Sequence, residues 1–235
     1  RIILWYSIYR RTVCNCEVQK KPRNKYTEET VKLILDTAAR LFTEKGFEKT
    51  SLQDIMNETK LSKGAIYHHF VSKEDIFIKI CENTSRRTEL LLSKVRDDKS
   101  LNGRDKLKKI YAEALSNTVN NEIVPMQPYM ISNHKFLAAQ VESLLHEVAP
   151  DYIQPILEQG IADGTLYGIE HPRQTAEMLS LLSSLWLNPL LLPSTDEEII
   201  ARGKVVMSIL NHIGADFTAE ELICPYLSYN RMLQK

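Results

Sequence analysis

The sequence predicts an all-α fold. Only 8 Gly and 9 Pro occur in 235 residues, too few for a sheet-rich fold with many tight turns. From Thr27 onward apolar residues recur at the three-and-four spacing of a buried helical face. Short hydroxyl-and-acid caps precede these runs. With 43% hydrophobic and 26% charged residues the composition is ordinary globular, and the chain is long enough to bury a core without disulfides or metals.

Thr27 is expected to cap the first helix, with Glu28 and Glu29 suited to the positive end of its dipole. Val31, Ile34, Leu35, Ala38, Leu41 and Phe42 form one face, Gly46 stops the helix, and Phe47 is expected to tuck back beneath it. A second, shorter helix begins at Thr50 or Ser51, where Thr50-Ser51-Leu52-Gln53 fits a capping box; Leu52, Ile55 and Met56 face inward. Ser62 caps a third helix of barely two turns, Lys63 to His69, with Ala65, Ile66 and Phe70 facing in. Ser72-Lys73-Glu74-Asp75 caps a fourth that carries Ile76, Phe77 and Ile80.

Two short helices joined by a tight turn, with another packed behind, form a helix-turn-helix; a small helical bundle with short loops is the plain alternative. The outward face of the third helix favours the former. Lys63, Gly64, Tyr67 and His68 offer donors for phosphates and base edges and no apolar anchor.

The stretch Thr50 to Asp75, TSLQDIMNETKLSKGAIYHHFVSKED, with ARLFTEKGFEKTS (Ala39 to Ser51) before it, closely resembles the DNA-binding domain of the tetracycline-repressor (TetR/AcrR) family. The pattern covers roughly residues 27–80; residues 81–235 resemble the family only in length and helicity. The resemblance implies a helix-turn-helix domain over 25–80, a C-terminal effector-binding and dimerisation domain over 81–235, and a ligand-responsive regulator, most often a repressor. It implies that Lys63, Gly64 and Ala65 begin the recognition helix. Gly64 lets the backbone approach DNA, and the Ala65 methyl either meets a thymine methyl or fills the core. Tyr67 and His68 match phosphate contacts, while Thr50 or Ser51 and Lys73 match helix-terminal phosphate clamps. His69 is expected to face inward or cap locally. Lys20, Lys21, Arg23 and Lys25 form either a minor-groove arm or a solvated stretch.

Beyond residue 84 the pattern predicts long helices with a joint near Lys99–Gly103. An amphipathic face at Val141, Leu144, Leu145 and Val148 is expected to stop at Pro150, and a further helix carries Tyr152, Ile156, Leu157 and Ile161. Pro172 suits a first helical turn. From Ala176 to Leu187 apolar residues spread over most of the circumference, so this helix is buried on more than one side. A two-fold homodimer meets that need, with Leu182, Leu185, Trp186, Val206, Ile209 and Leu210 at the interface; central burial in a larger monomer is the alternative. Ser194-Thr195-Asp196-Glu197 fits another capping box, and Thr218-Ala219-Glu220-Glu221 is expected to cap a short terminal piece. Tyr111, Met126, Tyr129, Met130, Phe136, Tyr152 and Trp186 are candidates to line an effector cavity, each with ordinary core as its alternative.

The zero net charge conceals an asymmetry: residues 1–80 carry 15 Lys/Arg against 10 Asp/Glu, and the remainder 15 against 20. A basic end suits a polyanion such as a double-stranded DNA operator. Cys14, Cys16, Cys81 and Cys224 form no CxxC pair and no zinc spacing, so reduced thiols, no metal and no cofactor are expected. No GxSxG, HExxH, GxxxxGK[ST] or GxGxxG occurs, and Glu142 and His146 are four apart where a di-iron ExxH needs three; an enzyme is not expected. Ile2–Tyr6 is too short and wrongly flanked for a signal peptide or membrane span, which leaves residues 1–24 as a loose extension and the location cytoplasmic. The competing class is a helical ligand-binding or enzymatic bundle that no longer binds DNA. It has no reason to keep the Lys63–His68 face.

Overall fold

A computed structural model describes residues 25–119, 134–189 and 191–233, and all regular structure among them is helical. The first helix, α1, spans Lys25–Lys45. It has already begun at Lys25, so Thr27 lies inside the first turn instead of capping it. Gly46 ends it with φ +83°, and Phe47 returns beneath it, 4% exposed. Helix α2 (Leu52–Thr59) is capped by Ser51, whose box partner is Asp54, not Gln53. Helix α3 (Lys63–His69) is capped by Ser62 and α4 (Lys73–Arg96) by Ser72, as expected.

Ile34, Ala38, Phe42, Phe47, Ile55, Ile66, Ile76 and Phe77 close a first core. Phe42, Phe47 and Phe77 pack with ring centroids 5.0–6.3 Å apart. The expected division at residues 80 and 81 falls inside α4. Its early turns bury Ile76, Phe77 and Ile80 in the first core, and its last turns bury Leu92 and Val95 in a second.

The second core is built by α5 (Gly103–Val119), α7 (Gln154–Ala162), α8 (Pro172–Leu181), α9 (Asp196–His212) and α10 (Ala219–Leu233), while α6 (His134–Ser143) places Phe136 in the first. Pro150 does not stop the helix before it. The chain passes from α6 to α7 through a π-wound stretch, Leu144–Ile153, with Gln154 N–H reaching back to the Ala149 carbonyl. Proline lacks the N–H and clashes with a carbonyl one α-turn back; the wider π turn relieves that clash. A second π turn, Leu182–Trp186, ends α8. Helix α5 crosses α7 at two glycines, so close that a Cβ on Gly103 would lie 2.2 Å from the Gly160 Cα. Thr195, not Ser194, caps α9, in a box with Glu198. The terminal piece is a full helix, α10, of 15 residues.

Val206 and Leu210 are fully buried within this protomer, at 0% exposure, so they are not interface residues. Helix α10 covers that side of α9, and Leu222 and Tyr226 join the same core. Leu182, Leu185, Trp186 and Ile209 are half-buried and packed against its rim. Exposed apolar side chains beside them are Met178 and Val205. No helix among the described residues is long and apolar enough to cross a membrane.

Candidate nucleic-acid interface

Ile66, 0% exposed, anchors α3 in the first core, and this burial turns the opposite side of the helix outward. Lys63, Gly64, Tyr67 and His68 are all exposed there, with the Lys63 ammonium 5.6 Å from the Tyr67 ring centroid. A Cβ on Gly64 would meet nothing within 4 Å and its φ is not left-handed. Nothing among the described residues requires a glycine at that position. Ala65 is half-buried at the margin of the core. His69 is half-buried; burial first, and then the neighbouring His68, hold its imidazole below the usual value. That favours a neutral ring over a phosphate-binding cation.

Thr50 does not belong to this surface. It is 2% exposed, and its hydroxyl donates to the carbonyls of Gly46 (2.9 Å) and Leu41 (3.2 Å), tying the loop to α1. Ser51 is exposed, but its hydroxyl donates to Asp54 Oδ2 at 2.6 Å and its backbone N–H to the same oxygen at 2.9 Å. The helix's own carboxylate thus occupies the end expected to face a phosphate. The Ser51 bonds come first and Lys45, at 3.2 Å, adds to them, holding Asp54 down to about 2. Lys73 is neither a plain clamp nor a solvated lysine. Its ammonium donates to the Phe47 carbonyl (2.9 Å) and the Glu48 carbonyl (3.3 Å), and sits 4.4 Å from the Phe47 ring centroid. It ties the start of α4 to the turn before α2 and leaves one of its three donors for an outside acceptor.

A polar face beside α3 escaped the sequence reading. Gln53 and Asn57 are exposed on α2 and joined by a 2.9 Å hydrogen bond. With Met56, Lys60, Leu61 and Lys63 they line an open groove of about 450 Å³. The acids of α2 point elsewhere, Glu58 to Arg40 and Asp54 to Lys45. The amides' four-residue spacing was the available signal. Lys25 is the first residue of α1, whereas Lys20, Lys21 and Arg23 lie outside the described residues.

The expected effector-lining residues are not gathered at one place. Phe136 belongs to the first core, 5.8 Å from Phe77 between centroids. Tyr111 is buried in the second core against Phe217. Tyr152 borders an open groove of about 530 Å³ with Arg96, Asp97, Pro150, Asp151, Pro155 and Gln159. Trp186 is half-buried, and Met126, Tyr129 and Met130 lie outside the described residues. Among the described residues no group of three or more His, Cys, Asp or Glu side chains is arranged to hold a metal.

Comparison with known proteins agrees with the helix-turn-helix. Residues 34–80 match the family described as bacterial regulatory proteins, tetR family. The negative transcriptional regulator IcaR of the biofilm operon icaADBC from Staphylococcus epidermidis is 37% identical over 71 residues, 30% of this chain and 38% of that protein. The transcriptional regulator AcrR of Shigella flexneri is 46% identical over 55 residues, 23% of this chain and 26% of that one. The chain therefore aligns with well under half the length of these relatives. The fold is shared more widely. SmeT, the repressor of the Stenotrophomonas maltophilia multidrug efflux pump SmeDEF, superposes with TM-score 0.60 at 19% identity, over 79% of this chain and 91% of that one. A gamma-butyrolactone receptor (ArpA-like protein) does so with TM-score 0.54 at 17% identity, over 90% and 98%. Among the described residues the fold is all-α, with a helix-turn-helix that matches the tetR family followed by a larger helical part.

Proposed function

We propose that this protein is a homodimeric, ligand-responsive transcriptional repressor that binds a near-palindromic operator and is released by a small-molecule effector. Residues 25–80 form its DNA-binding domain and 81–235 its effector-binding and dimerisation domain, with 1–24 an extension; it works in the cytoplasm, where the DNA is. The observation that carries this reading is the α3 face: Lys63, Gly64, Tyr67 and His68 exposed on a helix anchored by Ile66, within a segment matching the tetR family. A glycine that nothing among the described residues requires makes sense where an outside surface must come close.

In the dimer, two copies of α3 enter successive major grooves. Lys63 and Ala65 contact base edges, while Tyr67, His68 and the third Lys73 donor contact phosphates. Leu182, Leu185, Trp186 and Ile209, joined by Met178 and Val205, meet their two-fold copies. An effector acts by binding more tightly to a form whose two heads no longer match the operator spacing, so DNA affinity falls by linkage.

The test is binding of the purified protein to DNA from its own upstream region, against scrambled DNA, at two salt concentrations. Sequence preference that persists at the higher salt supports the reading. No binding to any DNA at low salt overturns it in favour of a helical ligand-binding protein.

A further inference from the structure

Deep in the second core, two hydroxyls have no hydrogen-bond partner among the described residues: Tyr111 Oη on α5 and Ser180 Oγ on α8. Their residues are 5% and 4% exposed, so water does not reach them from outside. The surroundings do not lack polar atoms. Ser183, one turn beyond Ser180 on the same helical face, donates its hydroxyl to the Leu179 carbonyl at 2.8 Å. Tyr226 of α10 donates to the Ser183 carbonyl at 2.9 Å. Ser183 and Tyr226 lie beside Tyr111; Ser183 interacts with its phenol, but no hydrogen bond of normal geometry joins either to the Tyr111 hydroxyl. Burial pushes the Tyr111 phenol well above its usual range, so the group stays protonated and is a donor.

Buried polar groups in folded proteins are nearly always paired, and an unpaired one destabilises the fold that contains it. Two such groups in one protomer, a phenol on α5 and a serine on α8, leave hydrogen-bonding capacity for a molecule outside the chain.

We propose that the Tyr111 and Ser180 hydroxyls are the polar anchor of the effector site, and that the effector is an uncharged, largely apolar molecule presenting a carbonyl-type oxygen. The inference rests on the ligand-responsive reading above. A carbonyl oxygen has two acceptor positions, which match two hydroxyl donors. The apolar body follows from the surrounding core, which includes Leu107, Leu179, Leu210 and Phe217. A charge is excluded for lack of an answering one. Lys106 is the one buried ionic side chain among the described residues, and the Arg96 carbonyl and Gln159 already engage it, both at 2.6 Å.

The test uses Tyr111→Phe and Ser180→Ala in the full chain. The probes are uncharged ketones from acetone to benzophenone, with acetate and benzoate as charged controls. Because each substitution removes an unpaired buried group, the ligand-free variants are expected to melt about 2–4 °C above the unsubstituted protein. The unsubstituted protein gains thermal stability with a ketone and not with the carboxylates, and each variant binds that ketone about tenfold more weakly. Variants that melt several degrees lower overturn the proposal, because the hydroxyls are then structural. So does a ketone shift that survives both substitutions, an equal shift with the carboxylates, or no ketone shift at all. A hydroxyl-dependent ketone shift that leaves operator affinity unchanged upholds the site and refutes effector-controlled release. Release by charged compounds alone does the opposite.

Discussion

Replacing Lys73 by Met removes an ammonium while keeping an unbranched stem of similar length. The perturbation is local, because the group serves the turn between α1 and α2 and the start of α4. Its 2.9 Å bond to the Phe47 carbonyl is worth about 1 kcal/mol and the longer 3.3 Å bond to Glu48 about half that, since both are partly open to water. The ammonium over the Phe47 ring adds about 0.5 kcal/mol, and the thioether recovers a similar amount from the same ring. The net loss is about 1.5 kcal/mol, or roughly 3–6 °C in melting temperature for a chain of this size. Phe47 O keeps its bond from Thr50 N–H at 3.2 Å, so the turn loosens without coming apart. Thermal unfolding followed by circular dichroism measures the effect, with Lys73→Arg as a charge-preserving comparison. Operator binding at several salt concentrations then separates the two roles: losing the remaining phosphate contact lowers the slope of log affinity against log salt by about 1. An unchanged melting temperature would refute the tie to the Phe47 turn, whatever happened to DNA binding.

Gly64→Ala is expected to stabilise the protein by about 0.5–1 kcal/mol, because a helical glycine is replaced with open space around the new methyl, yet to weaken operator binding. Unchanged DNA affinity would remove the argument from close approach. Gly103→Ala acts in the opposite sense. Its Cβ would sit 2.2 and 2.3 Å from backbone atoms of Gly160, forcing α5 and α7 apart at a loss of about 2–3 kcal/mol, readable as a lower denaturant midpoint. The Asp54 capping box predicts an acid-sensitive increment of stability. With the carboxyl held at about 2 against an ordinary 3.8, the increment is complete above pH 3.8 and disappears as the pH falls through about 2. Asp54→Asn should remove that increment from the pH–stability curve, and a curve identical to the unsubstituted protein's would count against the box.

Buried faces were legible because periodicity reports burial directly: Ile34, Ala38 and Phe42 on α1 and Ile66 on α3 all lie where the three-and-four spacing puts them. Caps were legible only to within a residue. Thr50-Ser51 and Ser194-Thr195 each offer two hydroxyls, and which one turns inward depends on contacts such as the Leu41 and Gly46 carbonyls, far away or behind in the chain. Pro150 misled because the chain winds as a π-helix around it, where the wider turn relieves the clash a regular α turn would make. Val206 and Leu210 carry the same apolar signal whether a second copy or another part of the same chain covers them. The length of α10, 15 residues where a short piece was expected, decided that. The recognition face was legible as an absence of anchors, whereas the Lys73 tie joins residues 26 apart in sequence and leaves no local trace.

The carboxylate of Asp54 has a consequence for how such a regulator finds its site. Its low pKa keeps it ionised throughout the physiological range, at the end of a helix expected to approach a phosphate. Lys45, 3.2 Å away, offsets the charge only in part, since both side chains are open to solvent. If the protein binds DNA as proposed, any sequence meets that negative charge before base contacts form. On the proposed reading the repulsion weakens operator and non-specific binding alike, and base contacts offset it at the operator alone. Each stay on random sequence is therefore shorter, and the chromosome, which holds millions of such decoys, sequesters less of the protein.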